Sequence, residues 1–190
     1  MIEVEIRGQL ETDEKFAKLV NFLKANARYL GQQNREIYLL YDYPGYSDDP
    51  TTRTADVRLR NTDGSCEIMA KVKASDHNTS RVEYSLKLKD NNLDTAKEVV
   101  KILGFTKALK MFRSKDLYEY NGCEWSVVYI AHNLSYFEIE KEIENESEIK
   151  FTIEFLENEA KNLGYKTLNP EETKQFIYNL DKKVNEKVNF

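Results

Sequence analysis

Residue types that supply many metal and nucleophilic sites are scarce in this sequence. Two cysteines, Cys66 and Cys123, and two histidines, His77 and His132, occur among 190 residues. Neither cysteine belongs to a C-x-x-C pair or has a histidine at the spacing of a zinc site. This pattern argues against a zinc-binding or disulfide-based protein, and it predicts free thiols and a cytoplasmic location.

Long apolar runs are also missing. No stretch approaches the length of a membrane span, and Met1 leads into a strand-like segment rather than a signal peptide, so we expect no membrane partner. The net charge of −5 argues mildly against a nucleic-acid partner. With 190 residues, 41% of them hydrophobic and 32% charged, the chain has the size and composition of one globular domain.

What the sequence does contain is a repeated alternation of charged and apolar residues. In the first segment Glu3, Glu5 and Arg7 alternate with Val4 and Ile6. Because successive side chains of a strand point to opposite faces, such a segment carries all of its charge on one face. The same alternation recurs at residues 54–61, 66–74, 81–89 and 137–143.

The remaining signals predict eight strands and four helices. Strand patterns cover residues 2–7, 35–43, 54–61, 66–74, 81–89, 106–120, 123–131 and 136–144. Helical spacing and capping signals predict a helix after Thr12 and further helices at 93–103, 149–163 and 169–183. Asp-Gly and Asn-Gly turns favour antiparallel hairpins between neighbouring strands.

We predict an α+β fold in a single domain spanning residues 1–185. Eight antiparallel strands would close into a β-barrel, or tunnel, with a charged lumen and flanking helices. Alternation alone does not distinguish this arrangement from a barrel or sandwich whose charges face outward. The helices favour the tunnel, because four amphipathic helices, including the C-terminal pair at about 149–183, need an apolar sheet surface to pack against.

A lumen of this kind would bring many charges together. The acids are Glu3, Glu5, Glu83, Glu138 and Glu140, and the bases are Arg7, Arg58, Arg60, Lys71, Lys73, Arg81, Lys87, Lys110 and Arg113. Their mutual repulsion is tolerable only if a ligand binds between them. The excess of bases predicts a polyanion, and the glutamates predict a hard divalent cation such as Mg²⁺ or Mn²⁺. A triphosphate bound with metal satisfies both demands.

Six short motifs, in order along the chain, resemble those of the CYTH family, also called triphosphate tunnel metalloenzymes. Glu3-x-Glu5-x-Arg7 resembles the family's E-x-E-x-K signature. The other matches are Arg58-Leu59-Arg60 to its R-x-R, Lys71 or Lys73 to its fourth-strand lysine, Arg81-Val82-Glu83 to its R-x-E, Leu103-Gly104-Phe105 to its LGF, and Glu138-Ile139-Glu140 to its final E-I-E. The resemblance covers roughly residues 2–180.

This resemblance implies an eight-stranded tunnel that binds a small triphosphate together with Mg²⁺ or Mn²⁺. Carried over by position, the metal ligands would be Glu3, Glu5, Glu138 and Glu140. The phosphate-binding residues would be Arg7, Arg58, Arg60, Lys71 or Lys73, Arg81, and one or both of Lys110 and Arg113. The catalytic residues would be Glu5, Arg7 and Lys71.

The sequence departs from the family pattern at two places. Arg7 replaces the usual lysine, which keeps the charge but changes its shape. The seventh strand usually carries an Asp, and the corresponding segment here has His132, which is either a proton donor or a turn histidine. In addition, Lys110 and Arg113 are three residues apart, so they share a strand face only if a bulge separates them.

Three functions remain open on the sequence. The leading hypothesis is metal-dependent hydrolysis of tripolyphosphate, thiamine triphosphate or a nucleoside triphosphate, with release of orthophosphate. The alternative within the same fold is a class IV-type adenylate cyclase, which makes cyclic AMP and pyrophosphate from ATP. From a different class, the chain could be a non-catalytic module that binds nucleotides or polyphosphate. A homodimer is also left open.

Overall fold

Eight antiparallel strands form a closed ring in the computed structural model, which describes residues 1–50, 52–74, 79–130 and 134–190. The strands are β1 (Ile2–Gln9), β2 (Arg28–Leu40), β3 (Ala55–Thr62), β4 (Ser65–Lys73), β5 (Ser80–Lys87), β6 (Lys107–Tyr120), β7 (Cys123–Tyr129) and β8 (Ser135–Ile143). Their order is β2-β3-β4-β5-β1-β8-β7-β6, and pairing of β2 with β6 closes the ring. The predicted α+β tunnel with eight antiparallel strands is confirmed.

The observed strands depart from the predicted ones most clearly at β2, at β7 and near the C-terminus. Strand β2 begins at Arg28 rather than at residue 35, because it pairs with β6 along nearly its whole length, from Arg28–Glu119 to Leu40–Ala108. Strand β7 ends at Tyr129, whereas the predicted strand extended to residue 131, which lies outside the described residues. A short ninth strand, β9 (Glu186–Asn189), pairs with β6 at residues 107–110 and was not predicted.

Three helices cover the apolar outer face of the ring. They are α1 (Asp13–Asn26), α2 (Leu93–Ile102) and α3 (Ile149–Asn162). Helices α1 and α3 pack on a core that contains Val4 and Trp125, and α2 packs on a second core around Leu59. The charges of β1 and β3 therefore face the lumen, as the helices predicted from sequence.

The fourth helix, α4 (Pro170–Lys183), packs differently from the others. It begins at the predicted capping signal, where the Asn169 side chain accepts a hydrogen bond from the Glu172 backbone N–H at 2.9 Å. Its buried Phe176 and Leu180 pack on Val128 and Tyr136, which lie on the lumen face of β7 and β8. Helix α4 therefore covers one end of the tunnel.

None of the helices within the described ranges has both the length and the apolar character needed to cross a membrane.

Candidate functional site

Strand register places the first and last strands of the predicted site side by side. In the β1–β8 pair, Glu5 lies opposite Glu140 and Arg7 lies opposite Glu138. On the other side of β1, Glu3 lies opposite Arg81 of β5. Because residues directly opposite one another in an antiparallel pair point to the same face, these side chains all enter the lumen.

Three of the four predicted metal ligands form a carboxylate cluster. Glu3, Glu5 and Glu140 each offer one oxygen, and these oxygens lie within 4.8 Å of one another. Burial, followed by the neighbouring carboxylates, raises the pKa of Glu140 to about 8, and burial raises that of Glu3 to about 7 against the opposing effect of Lys71. Clustered, half-buried carboxylates that resist ionisation are a suitable ligand set for a hard divalent cation.

The fourth predicted ligand, Glu138, does not join this cluster. One of its oxygens accepts a hydrogen bond from Arg7 Nε at 3.1 Å and the other accepts one from Lys115 Nζ at 3.0 Å. Burial alone would raise the pKa of Glu138, but Lys115 and Arg7 hold it far below its usual range. Both oxygens of Glu138 thus contact cations, and its role as a metal ligand beside Glu140 stays a prediction.

Two predicted residues connect the carboxylate cluster to the cationic part of the lumen. Lys71 Nζ lies 2.7 Å from Glu3 Oε1 and 2.5 Å from Glu83 Oε1. Arg7 Nη2 lies 2.5 Å from Glu5 Oε1, while its Nε contacts Glu138. Both cations therefore partly offset the charge of the cluster.

Two of the other predicted phosphate-binding residues, Arg58 and Arg60, also contact carboxylates. Arg58 Nη2 contacts Asp56 Oδ2 at 2.9 Å, and Arg60 Nε contacts Glu67 Oε1 at 2.6 Å. By register, Lys73 lies opposite Arg81, and both share the face of Lys71. Both lysines therefore face the lumen, and the sequence had left open which of them does. The lumen residues of the predicted set are Arg7, Arg58, Arg60, Lys71, Lys73, Arg81 and Arg113.

Lys110 is the predicted residue that the structure places outside the tunnel. Strand β6 pairs with β2 without interruption from Ala108 to Leu117, so Lys110 and Arg113 point to opposite faces. Lys110 lies opposite Tyr38 on the outer face, and its Nζ is 3.2 Å from Glu36 Oε1. Of the two alternatives that the sequence left open, Arg113 faces the lumen and Lys110 does not, so we remove Lys110 from the phosphate-binding set.

Several lumen residues were missed by the sequence reasoning. Arg35 lies opposite Arg113, and Lys115 lies two residues further along the same face of β6. Glu124 lies opposite Glu140 on the seventh strand and contributes to raising its pKa. The signal that could have found Lys115 is its two-residue spacing from Arg113. His132, considered as a proton donor, lies outside the described residues.

The additional acids also change the charge balance of the lumen. Besides Glu124, Asp56 and Glu67 face inward and pair with Arg58 and Arg60. The predicted excess of bases is therefore smaller among the described residues, and five inward cations already contact a carboxylate, namely Arg7, Arg58, Arg60, Lys71 and Lys115. What remains distinctive is the carboxylate cluster, whose three carboxyl groups outnumber the two cations, Arg7 and Lys71, that contact them.

The raised pKa values predict how the stability of the metal-free protein depends on pH. Glu3 and Glu140 titrate near 4.5 when unfolded and at about 7 and about 8 when folded, so the folded state holds more protons in this window. Stability from these groups should fall as the pH rises from about 4.5 to about 8. The lowered pKa of Glu83 and that of Asp56, each about 2, affect stability only at more acid pH.

Urea denaturation in EDTA across this pH range measures the effect. Mn²⁺ should restore stability most strongly at the alkaline end, because binding requires the ionised carboxylates. A metal-free protein that becomes more stable across the same window would contradict the assignment of the cluster.

Comparison with known proteins agrees with this geometry. The family model described as "CYTH domain" matches residues 1–173. A comparison with curated proteins found no match. Among solved structures, the PH1819 protein from Pyrococcus horikoshii OT3 has a TM-score of 0.74 at 21% identity, covering 93% of this chain and 99% of that one.

Two further structures with the same fold carry functional descriptions. An adenylate cyclase candidate from Vibrio parahaemolyticus has a TM-score of 0.68 at 14% identity, covering 87% of this chain and 90% of its own. HpAC1 from Hippeastrum, an adenylyl cyclase candidate described with a dominant triphosphatase activity, has a TM-score of 0.55 at 15% identity, covering 86% of this chain and 90% of that one. With the family model matching most of its length, the chain belongs to the CYTH domain family.

Proposed function

We propose that this protein hydrolyses a small triphosphate in its tunnel with the help of Mg²⁺ or Mn²⁺. The single observation that carries the proposal is the cluster of Glu3, Glu5 and Glu140 beside the cations Arg7 and Lys71. Buried carboxylates and cations in direct contact suit a ligand that brings both a divalent cation and a polyanion. A triphosphate bound to Mg²⁺ or Mn²⁺ supplies both the polyanion and the divalent cation.

The three clustered glutamates would hold the divalent cation. When bound, such a cation offsets charge on the phosphoryl group and lowers the pKa of a bound water. Lys71 would then exchange part of its contact with Glu3 for a phosphate oxygen. Arg7 is held from two sides, by Glu5 and Glu138, so its guanidinium is oriented before any substrate arrives.

The remaining cations would bind the rest of the triphosphate chain. Arg58 and Arg60 extend from neighbouring positions on one face of β3, and Lys73 and Arg81 lie opposite one another on β4 and β5. Each planar guanidinium offers paired donors to phosphate oxygens, whereas Lys73 acts as a point charge. Charge that develops on the transferring phosphoryl group and on the leaving group would be stabilised by these fixed cations.

A panel of substrates tests the proposal. Tripolyphosphate, thiamine triphosphate and nucleoside triphosphates are each incubated with the protein and Mg²⁺ or Mn²⁺, with EDTA as the control. We expect metal-dependent release of orthophosphate from at least one of them. Pyrophosphate and cyclic AMP from ATP would instead identify a cyclase. Thermal stabilisation by triphosphate without any product would identify a non-catalytic binding module.

Phosphate binding by the lumen can be separated from charge on the surface. Arg60→Ala removes a lumen cation, and Lys110→Ala removes one from the outer face. We expect Arg60→Ala to raise KM for the preferred triphosphate about tenfold or more, since a charge-assisted contact is worth about 1.5–3 kcal/mol. Lys110→Ala should leave KM nearly unchanged. Equal effects of the two substitutions on KM would contradict the assignment of the lumen.

A further inference from the structure

Strand β5 has an unpaired edge where it extends past β1. Its register with β1 runs through Val4–Ser80 and Glu3–Arg81, and β1 begins at Ile2. Strand β4, by contrast, pairs with β5 from Arg81 to Lys87. In the part of the chain that the structure describes, residues 84–87 therefore have a strand on one side only. An open strand edge is a template for pairing with another strand.

The backbone groups of alternate residues point toward this edge. Ser80 O accepts a hydrogen bond from Ala74 N, and Leu88 N donates one to Cys66 O. The backbone N–H and C=O groups of the even-numbered residues of β5 therefore point toward β4. On the opposite side, Thr79 O accepts a hydrogen bond from Glu5 N of β1. The N–H and C=O groups of Glu83, Ser85 and Lys87 therefore point away from β4. This edge offers a regular ladder of donors and acceptors.

The outer face of the same strand is apolar and exposed. Tyr84 is 63% exposed and Leu86 is 72% exposed, and both lie on the face opposite Ser85. Isolated exposed apolar residues are ordinary, but two on one strand beside an open edge form a patch. We call Tyr84, Leu86 and the edge groups of residues 83–87 the β5 edge.

We propose that a second copy of this chain pairs with the β5 edge, so that two β5 strands lie antiparallel about a two-fold axis at Ser85. This register places Glu83 opposite the partner's Lys87 and Tyr84 opposite the partner's Leu86. Each opposite-charge pair and each apolar pair occurs twice by symmetry. In this register each charged residue lies opposite a residue of opposite charge, and each apolar residue lies opposite another apolar residue. This self-complementarity about Ser85 favours a second copy of the chain over an unrelated strand.

The pairing is also self-limiting. A two-fold contact uses the open edge of both copies, so it gives a closed dimer and leaves no such edge for further growth.

Sedimentation velocity of the full chain over a range of concentrations, with two substitutions at Ser85, tests this dimer. Ser85→Pro removes the outward N–H without touching the ladder to β4, and proline is tolerated at such edge positions. Ser85→Ala is its matched control, because both substitutions remove the hydrogen bond from Ser85 Oγ to Glu67. We expect a dimer for the wild type and for Ser85→Ala, and a monomer for Ser85→Pro with an unchanged circular dichroism spectrum.

A wild-type protein that stays monomeric at every attainable concentration would overturn the proposal. A folded Ser85→Pro variant that remains dimeric would also overturn it, since another surface would then hold the copies together. If Ser85→Pro does not fold, the Lys87→Glu variant tests the dimer instead. It places like charges opposite each other twice, and we expect the dimer dissociation constant to rise about tenfold. An unchanged constant would overturn the register.

Discussion

Replacing Glu140 by Gln is expected to reduce metal-dependent phosphate release by a hundredfold or more. The substitution keeps the size of the side chain and removes one of three clustered carboxylates. A divalent cation supplies several kcal/mol of charge stabilisation in reactions of this kind, and each 1.36 kcal/mol is about tenfold in rate. The metal-free protein should fold normally, since the substitution relieves repulsion with Glu3 and Glu5.

Glu142→Gln is the matched control for this measurement. Glu142 shares the lumen face of β8 and lies opposite Glu3, but it is exposed and lies outside the carboxylate cluster. We expect this variant to keep most of the activity. If Glu140→Gln retains full activity, or if both variants lose it equally, the carboxylate cluster does not hold the metal.

Replacing Glu138 by Gln is expected to destabilise the protein, by about 3 kcal/mol or more in the free energy of unfolding. Glu138 is 8% exposed and bridges Arg7 to Lys115, whose side chain is 7% exposed. Removing the carboxylate leaves two inward cations facing each other, and breaking a buried ion pair from one side costs about 3–5 kcal/mol. Urea denaturation with EDTA present measures the loss without any contribution from metal.

A second substitution separates lost pairing from lost packing. Lys115→Met removes the cation that Glu138→Gln leaves without a carboxylate, so Glu138→Gln combined with Lys115→Met should be more stable than Glu138→Gln alone. A Glu138→Gln variant as stable as the wild type would show that Glu138 does not hold these cations. The two neighbouring glutamates of the final E-I-E motif should thus differ, one affecting metal and the other affecting stability.

The face of each charged strand was predictable from the sequence because side chains alternate with a period of two. Glu3, Glu5 and Arg7 share the lumen with Arg58 and Arg60 for that reason. The helices were predictable from local capping chemistry, as at Asn169, and their apolar stripes correctly indicated that the outer face of the ring is covered.

The partners of those charges were not predictable, because they depend on register between strands far apart in sequence. Glu138 meets Lys115 only through the pairing of β6, β7 and β8. Lys110 and Arg113 could both line the lumen only with a bulge between them, and the uninterrupted pairing of β6 with β2 removes that alternative. Strand β9 has four residues and no clear alternation of polar and apolar side chains, so the local sequence did not indicate a strand that pairs with β6.

The most direct test of the central claim is Mn²⁺ binding to the protein, followed by electron paramagnetic resonance at a pH above the pKa of Glu140. We predict saturable binding to the wild type that is lost in Glu140→Gln and retained in Glu142→Gln. Binding should also weaken as the pH falls below about 7, where Glu3 and Glu140 become protonated. A wild-type protein that binds no Mn²⁺, or a Glu140→Gln variant that binds it as tightly, would contradict the account of the tunnel as a metal-dependent triphosphate site.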